Sequence, residues 1–424
     1  MEINKLVLQG EVFGPLECSV SVDKFGKECL EEMKHLYIYK NLVGVPPLAM
    51  IDDLFLMAGC GASSVFLNAF INAKTNCKKL QFGADKCHKI HVGKKSDFCP
   101  DLFIDEWKIQ EVDQVDTGII ESLGEEHKME ERDHDKYLGD IIMNNGKNTK
   151  NIAARKQKGL GAIDQIMSIL DNTCFGPFQF ETAGILRNSL LINGILTNSE
   201  VWYNLTKAET EELEELDEIL IRRILETGKC TPKAMLYLEM GFTPIRFIIM
   251  KRRIMFLHEI LHQEKGSLLF RFFQAQYNDP VRGDWWLTVR DDMENLGINL
   301  SLDQISQMSK FSLKQVVGKK ADAKALQFLN SKKGNKCIQV SHKKLEIQKY
   351  LMPNPMSNIQ RKFLFQLRSR MLDLKVNFQG SHQNFLCELC KNHQDDQKSL
   401  LICSQLDSKN SLHQKCMSQF RSQP

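Results

Sequence analysis

Asp52 and Asp53 stand side by side between two apolar runs, Leu42 to Met50 and Leu54 to Met57. Adjacent carboxylates repel each other unless a cation or solvent compensates. Held on rigid backbone, such a pair is a hard-oxygen ligand set of the kind that grips Mg²⁺ against a nucleotide's phosphates. Asp-Asp recurs at Asp291-Asp292 and Asp395-Asp396, in polar surroundings where an Asp-rich turn is the ordinary reading. The apolar flanks set Asp52-Asp53 apart. A second constellation lies near the end of the chain. Cys387 and Cys390 have C-x-x-C spacing, and Cys403, His413 and Cys416 follow. Two thiols at that spacing suggest Zn²⁺. A third is Cys87, His88 and His91, just after Lys86. Cys87 and His91 share a face if this is a strand, so a metal pair is conceivable, with packing the commoner outcome.

The elements that must position these residues follow from periodicity. The upstream run carries Pro46 and Pro47, and the downstream run ends at Gly59-Cys60-Gly61. Short apolar runs bounded by Pro and Gly read as buried strands, which puts Asp52-Asp53 at a hairpin tip. Glu17 to Lys40 has Val22, Phe25, Cys29, Met33 and Leu36 at helical spacing. Ala62 to Asn76 reads as a second helix with Val65, Phe66, Ala69, Phe70 and Ala73 on its inner face. Asp85 to Gly93 alternates like a strand. Helix, hairpin, helix and strand make a small α+β layer, helices on one face of an antiparallel sheet.

Gln9-Gly10 with Pro15, the helix, the apolar-flanked Asp52-Asp53, the second helix and Lys86 resemble successive palm motifs of a reverse transcriptase. The likeness is to the non-LTR (LINE-type) retrotransposon class. Lys136-Tyr137-Leu138-Gly139-Asp140-Ile141-Ile142 resembles the Tyr-Leu-Gly primer-grip hairpin of that class. Ser199-Glu200-Val201-Trp202 and Leu216 to Leu225, with Arg222-Arg223, resemble its thumb and post-thumb helices. The resemblance implies an α+β fold: a partial polymerase palm, an antiparallel hairpin sheet with helices, followed by a mostly α-helical thumb and C-terminal region. The implied divisions are a palm over 1–94, an acidic insertion over 95–135, and primer-grip-like hairpin with thumb over 136–265. A basic helical region over 266–382 and a Cys/His tail over 383–424 complete them.

The resemblance also assigns roles. Asp52 would be the main Mg²⁺ carboxylate, with Asp53 its partner. Gln9, Gly10 and Pro15 would line the nucleotide and template pocket, and Lys86 would sit near the triphosphate. Tyr137, Leu138 and Gly139 would press on the primer end. The implied partners are an RNA template, a DNA primer and deoxynucleotide triphosphates. The implied chemistry is in-line attack of a primer 3′-hydroxyl on an α-phosphate, with two metals stabilising the attacking and leaving oxygens. One departure outweighs the matches. The class draws a further Asp from a strand ahead of the Gln-Gly loop, and Met1 to Leu8 holds none. The expectation is an N-terminally truncated chain, without fingers or first palm motif, under-ligated for two metals and inactive alone. The alternative is a non-catalytic nucleic-acid-binding or interaction protein derived from such an element. A smaller departure is Ile51, where an aromatic or Ala is more usual.

Composition adds limits. With 424 residues there is room for two or three domains. A net charge of +3 is too small to argue for nucleic acid by itself. Thirteen cysteines without framework spacing, behind a start that lacks a signal-peptide pattern, favour a reducing intracellular setting. No apolar run reaches membrane-spanning length, so no membrane partner is expected. Lys94 to Asp135 is acidic and reads as a solvent-exposed insertion, partly disordered or loosely helical. Helices are expected over Thr149 to Leu170, Phe180 to Leu196, Thr206 to Thr227, and Thr243 to about Gln263. The last carries Arg246, Lys251, Arg252 and Arg253, a stripe that could track a phosphate backbone or face solvent. Ile359 to Leu374 is basic again, Phe270 to Trp286 is aromatic-rich, and Lys310 to Lys349 is lysine-rich.

Tails of this polymerase class often end in a zinc knuckle, with a His a few residues before the third Cys. That position lies near Lys398-Ser399, so His393 or His413 with Cys416 would have to substitute. Zinc content of a fragment from Gln383 to Pro424 checks the expectation. Stoichiometric zinc that is lost in Cys387→Ser supports it; a zinc-free fragment refutes it.

Overall fold

The computed structural model describes residues 37–40, 43–45, 48–50, 53–77, 86–92, 100–109, 121–172, 175–332, 342–371, 386, 391 and 394. Two compact units emerge: Met1–Asn151 with Glu259–Thr288, and Ile152–His258 with Val289–Pro424. The fold is mixed α+β, with small sheets in the first unit and helices dominating the second.

In the first unit the described strands form two-stranded pairs. β1 (Ile38–Tyr39) lies antiparallel to β2 (Val43–Gly44), and β3 (Leu48–Met50) to β4 (Asp53–Phe55). Helix α1 (Gly61–Cys77) follows, then β5 (His88–Ile90). β6 (Phe103–Ile109) pairs antiparallel with β7 (Glu121–Lys128) through a register shift between Asp105 and Trp107. β8 (Glu130–Arg132) runs parallel to β5, and β9 (His134–Tyr137) forms a hairpin with β10 (Asp140–Met143).

Three local expectations change here. The helix expected over Glu17 to Lys40 does not reach its end: Ile38 and Tyr39 are strand, paired to Gly44 and Val43. The Tyr37-Ile38-Tyr39 run is β-favouring, and Lys40 takes the left-handed conformation (φ 48°) that begins the reversal. Residues 17–36 lie outside the described residues. The acidic insertion is a strand pair, β6 with β7, rather than loosely helical. Phe103, Ile104, Trp107 and Ile109 supply the β-formers that a count of acids overlooks. Finally, α1 is turned from the expected face, of which Phe70 packs on the core but Val65 and Phe66 do not. Leu67 and Ile71 are buried against Leu54, Leu56 and Ala58, whereas Val65 and Phe66 are 46% and 56% exposed. Apolar residues lie on more than one face of this helix, so periodicity cannot choose among them. Its asparagines fasten the inward one: Asn68 and Asn72 both donate side-chain N–H groups to the Phe103 carbonyl, each at 2.8 Å.

An ion pair closes the first unit's second segment onto β1. Lys40 Nζ lies 2.5 Å from Asp284 Oδ2, and the Tyr39 hydroxyl donates to Asp284 Oδ1 at 3.2 Å. Burial and the Asp284 charge push the Tyr39 hydroxyl up to about 12. Burial opposes ionisation of Asp284, but the Lys40 and Val281 hydrogen bonds hold its carboxyl below the usual range. Helix α8, introduced below, adds Phe272, whose ring is 4.8 Å from Tyr39.

The second unit is helical. α2 (Thr149–Asn172) begins at its boundary. A continuous helical run follows as α3 (Gln179–Leu186), a π-helical stretch (Arg187–Ile192) and α4 (Asn193–Ile195). α5 (Lys207–Leu225) starts with the expected Thr206 cap: its hydroxyl accepts from the Glu209 N–H, and the Glu209 side chain reaches back to the Thr206 N–H. Then come α6 (Lys233–Met240), α7 (Ile245–Leu261), α8 (Leu268–Asn278) and α9 (Trp285–Leu296). Of these, α8 belongs to the first unit. α10 (Leu302–Gln307), α11 (Lys310–Lys332) and α12 (Asn358–Arg368) complete the order.

Leu191, Ile195, Leu213, Leu216, Leu220, Leu236 and Phe365 are fully buried in one core, beside which Arg187 and Asp217 form a buried bidentate pair. Glu239, fully buried, accepts from Tyr350 (2.7 Å) and from Arg368 (2.9 Å), and its other oxygen lies 2.9 Å from His342 Nε2. Burial works against that charge, but the His342 and Arg368 contacts hold the carboxyl below its usual range. The same segment packs on Gly241, whose φ is 67°.

Two glycines separate backbone limits from side-chain limits. A Cβ on Gly241 would stand 2.2 Å from the Glu346 carbonyl carbon and Ile347 nitrogen, which cannot retreat cheaply. A Cβ on Gly159 would meet the methyl end of Leu216 at 2.6 Å. Gly241→Ala should therefore cost about 3 kcal/mol, combining left-handed strain and overpacking. Gly159→Ala regains about 1 kcal/mol of helix propensity and should fall within about 1 kcal/mol of the parent. Urea unfolding of the two variants measures both.

Candidate functional site

Residues 52 and 53 sit where β3 turns into β4. Met50 pairs with Asp53, Ala49 with Leu54 and Leu48 with Phe55, so only residues 51 and 52 join the strands. Asp53 opens β4 and is described by its backbone; Ile51 and Asp52 lie outside the described residues. So do Gln9, Gly10, Pro15, Cys387, Cys390, Cys403, His413 and Cys416.

The hairpin is supported on two sides. Leu54 and Leu56 pack with Leu67 and Ile71 of α1. Between them Phe55 turns the other way, its ring 5.0 Å from that of Tyr137. This contact brings the expected carboxylate hairpin and the expected Tyr137-Leu138-Gly139 hairpin together. Opposite faces of one short strand thus serve two neighbours, as strand alternation requires.

The β9–β10 turn is tight. Tyr137 pairs with Asp140, and Leu138 and Gly139 between them both have positive φ, 47° and 87°. A two-residue turn with both central residues left-handed matches the twist of the strands it joins. Gly139 adopts this freely, but for Leu138 the conformation costs about 1–2 kcal/mol. Leu138 is 46% exposed. The turn is braced from α2: Asn151, 2% exposed, donates to Asp140 Oδ1 at 2.9 Å and accepts from the Ile141 N–H at 3.4 Å. Sequence reading missed Asn151, whose only signal is a polar residue on an inward helical position.

Lys86 is exposed and lies just ahead of β5. The strand is tied to β9, since His88 Nδ1 lies 3.0 Å from Asp135 Oδ2. His88 thus has a carboxylate partner. Among the described residues no three His, Cys, Asp or Glu side chains gather as a metal would require. At the start of α1 the exposed Cys60 thiol is pushed down chiefly by the Ser63 hydroxyl and N–H.

The arginines expected to track phosphate are engaged within the protein. On α7, Arg246 forks onto Glu214 at 2.6 and 2.7 Å. Arg253 is 5% exposed and donates to Asp292 (2.9 Å) and the Trp202 carbonyl (2.8 Å). Arg252 donates to the Leu196 carbonyl and to Asn193. On α12, Arg361 is fully buried and donates to the Pro177 and Asn354 carbonyls, and Arg368 serves Glu239. The thumb-like Arg223 pairs with Asp164 at 2.5 Å, and Arg222 donates to the Gly228 and Thr231 carbonyls. The aromatic-rich stretch is packed likewise: Phe273 and Trp286 are buried edge to face, 5.5 Å apart.

Comparison of the chain with known protein families, with curated proteins and with solved structures finds no match. Among the described residues no helix is long and apolar enough to cross a membrane.

Leu138 isolates the site's own demand from that of the fold. Glycine relieves the left-handed strain, while the exposed side chain contributes modest packing. Leu138→Gly should leave thermal stability equal to or above the parent. A loss of more than about 1 kcal/mol would show that the leucine is retained for packing instead.

Proposed function

We propose that this chain derives from the palm and thumb of a reverse transcriptase of the non-LTR retrotransposon class, and that it handles a primer–template at the β3–β4 and β9–β10 hairpins. The observation that carries the reading is the Phe55–Tyr137 contact, centroids 5.0 Å apart, between the strand that Asp53 opens and the strand that ends at the Leu138-Gly139 turn. The resemblance needs those two hairpins to be neighbours, and they are far apart in sequence. In this reading Asp52 and Asp53 ligate Mg²⁺, Lys86 contacts phosphate, and Leu138 with Gly139 meets the primer end. When bound, Mg²⁺ supplies charge stabilisation for the phosphates.

A second reading is the same descent with nucleic-acid binding retained and polymerisation absent. Primer extension with Mg²⁺ on an RNA template, run beside primer–template binding, separates the two. The expected result is binding strengthened severalfold by Mg²⁺, with the Mg²⁺ effect lost in Asp52→Asn and no extension by either chain. Extension abolished by Asp52→Asn decides for the enzyme. Binding indifferent to both Mg²⁺ and the substitution contradicts the palm reading altogether.

A further inference from the structure

Helix α11 concentrates exposed lysines. The helix carries Lys310, Lys314, Lys319, Lys320, Lys324 and Lys332, against one acid, Asp322. Asp322 accepts a hydrogen bond from the Thr243 hydroxyl at 3.0 Å. All six lysines are exposed, while Leu313, Val317, Ala321, Ala325 and Leu329 bury the other face. Lys314, Lys319, Lys320 and Lys324 make no ion pair with a carboxylate among the described residues. The arginines of α7 and α12 are spent on internal partners, and these lysines are not. At 3.6 residues per turn, Lys320 and Lys324 lie about 40° apart around the axis, with Lys319 about 100° further. Lys251 of α7 adds to the run: Gly318 has no side chain, and Lys251 Nζ lies 3.7 Å from the position a Cβ would take there. Lys343 and Lys344 are exposed near the C-terminal end of α11, where Asn330 donates to the neighbouring His342 carbonyl.

We propose that the exposed lysine face of α11 binds the phosphate backbone of a nucleic acid. Six lysines against the single acid Asp322 match a repeating anionic chain. The face lacks the buried aromatic and arginine anchors on which protein interfaces turn, and lysine is depleted at such interfaces. It is also not amphipathic in the sense a membrane surface requires, since its one large apolar group is Phe311. Lysines contacting phosphate give affinity without base readout, so the contact is independent of sequence and weakened by salt. None of these residues belongs to the carboxylate hairpin, and the proposal stands without the polymerase reading.

The test is fluorescence anisotropy of the full chain with a labelled 20-nucleotide single strand, over a salt series. The Lys319→Ala/Lys320→Ala/Lys324→Ala chain is compared with the parent and with the triple Lys→Arg chain. The alanine chain should bind roughly tenfold more weakly near 0.1 M salt, and its log K against log salt slope should fall by about 2. The arginine chain should bind like the parent. Thermal unfolding of each chain reports whether the fold is kept; these are exposed positions, so small shifts are expected. The series is run without Mg²⁺, so failure of the hairpin reading would not pass for failure here, and Lys229→Ala, at an exposed lysine of the same unit away from α11, should leave the binding unchanged. Absence of binding by the parent overturns the proposal, as do equal affinity and slope for the alanine chain. So does polyglutamate competing as well as the unlabelled oligonucleotide, which would favour an acidic protein.

Discussion

Two adjacent carboxylates repel each other, and a chain that keeps them together must hold their backbone from outside. Here the hold falls on a strand of three residues, Asp53 to Phe55. Leu54 binds it to α1 and Phe55 binds it to Tyr137, from opposite faces. Neither contact is large. Together they fix the strand in two directions, and Asn68 and Asn72 fix α1 in turn by sharing the Phe103 carbonyl. This polar pair fastens the inward face of α1, and that face supports the hairpin.

Much of the chain's regular structure was legible in sequence where local signals agreed. Thr206 and Glu209 announce a capping box, and the helix begins there. Asn145-Gly146 announces a turn, and Gly146 has φ 66°. The β3–β4 hairpin followed from Pro, Gly and apolar runs. What local signals could not give is the choice among equal faces and the fate of charge. The acids of Asp105 to Glu126 suggested disordered or loosely helical chain, but the described residues of that stretch pair as strands. Arg246, Arg252 and Arg253 looked like a phosphate track. Their partners, Glu214, Asn193 and Asp292, lie on other elements and are invisible to periodicity.

That consumption of arginine has a physical reason. The guanidinium offers several donors in a plane, so it can satisfy carbonyls and carboxylates at a helix end while its stem is buried. Arg361 shows the extreme, fully buried on the carbonyls of Pro177 and Asn354. Lysine, a hydrated point charge on a flexible stem, stays outside. In the second unit these arginines knit helices together, whereas Lys314, Lys319, Lys320 and Lys324 of α11 make no ion pair with a carboxylate among the described residues.

The candidate site was legible as residue types and only in part as geometry. The resemblance alone linked Asp52-Asp53 with Tyr137-Leu138-Gly139; the Phe55–Tyr137 ring contact joins positions far apart in the chain and leaves no local signal. Localised cleavage tests that arrangement together with metal binding. Fe²⁺ substituted for Mg²⁺, with ascorbate and peroxide, cuts backbone near the site it occupies. The account predicts cuts at residues 51–54 and again near 137–140, both lost in Asp52→Asn/Asp53→Asn. Cuts confined to the acidic stretch between residues 101 and 135, and unchanged by those substitutions, would contradict it.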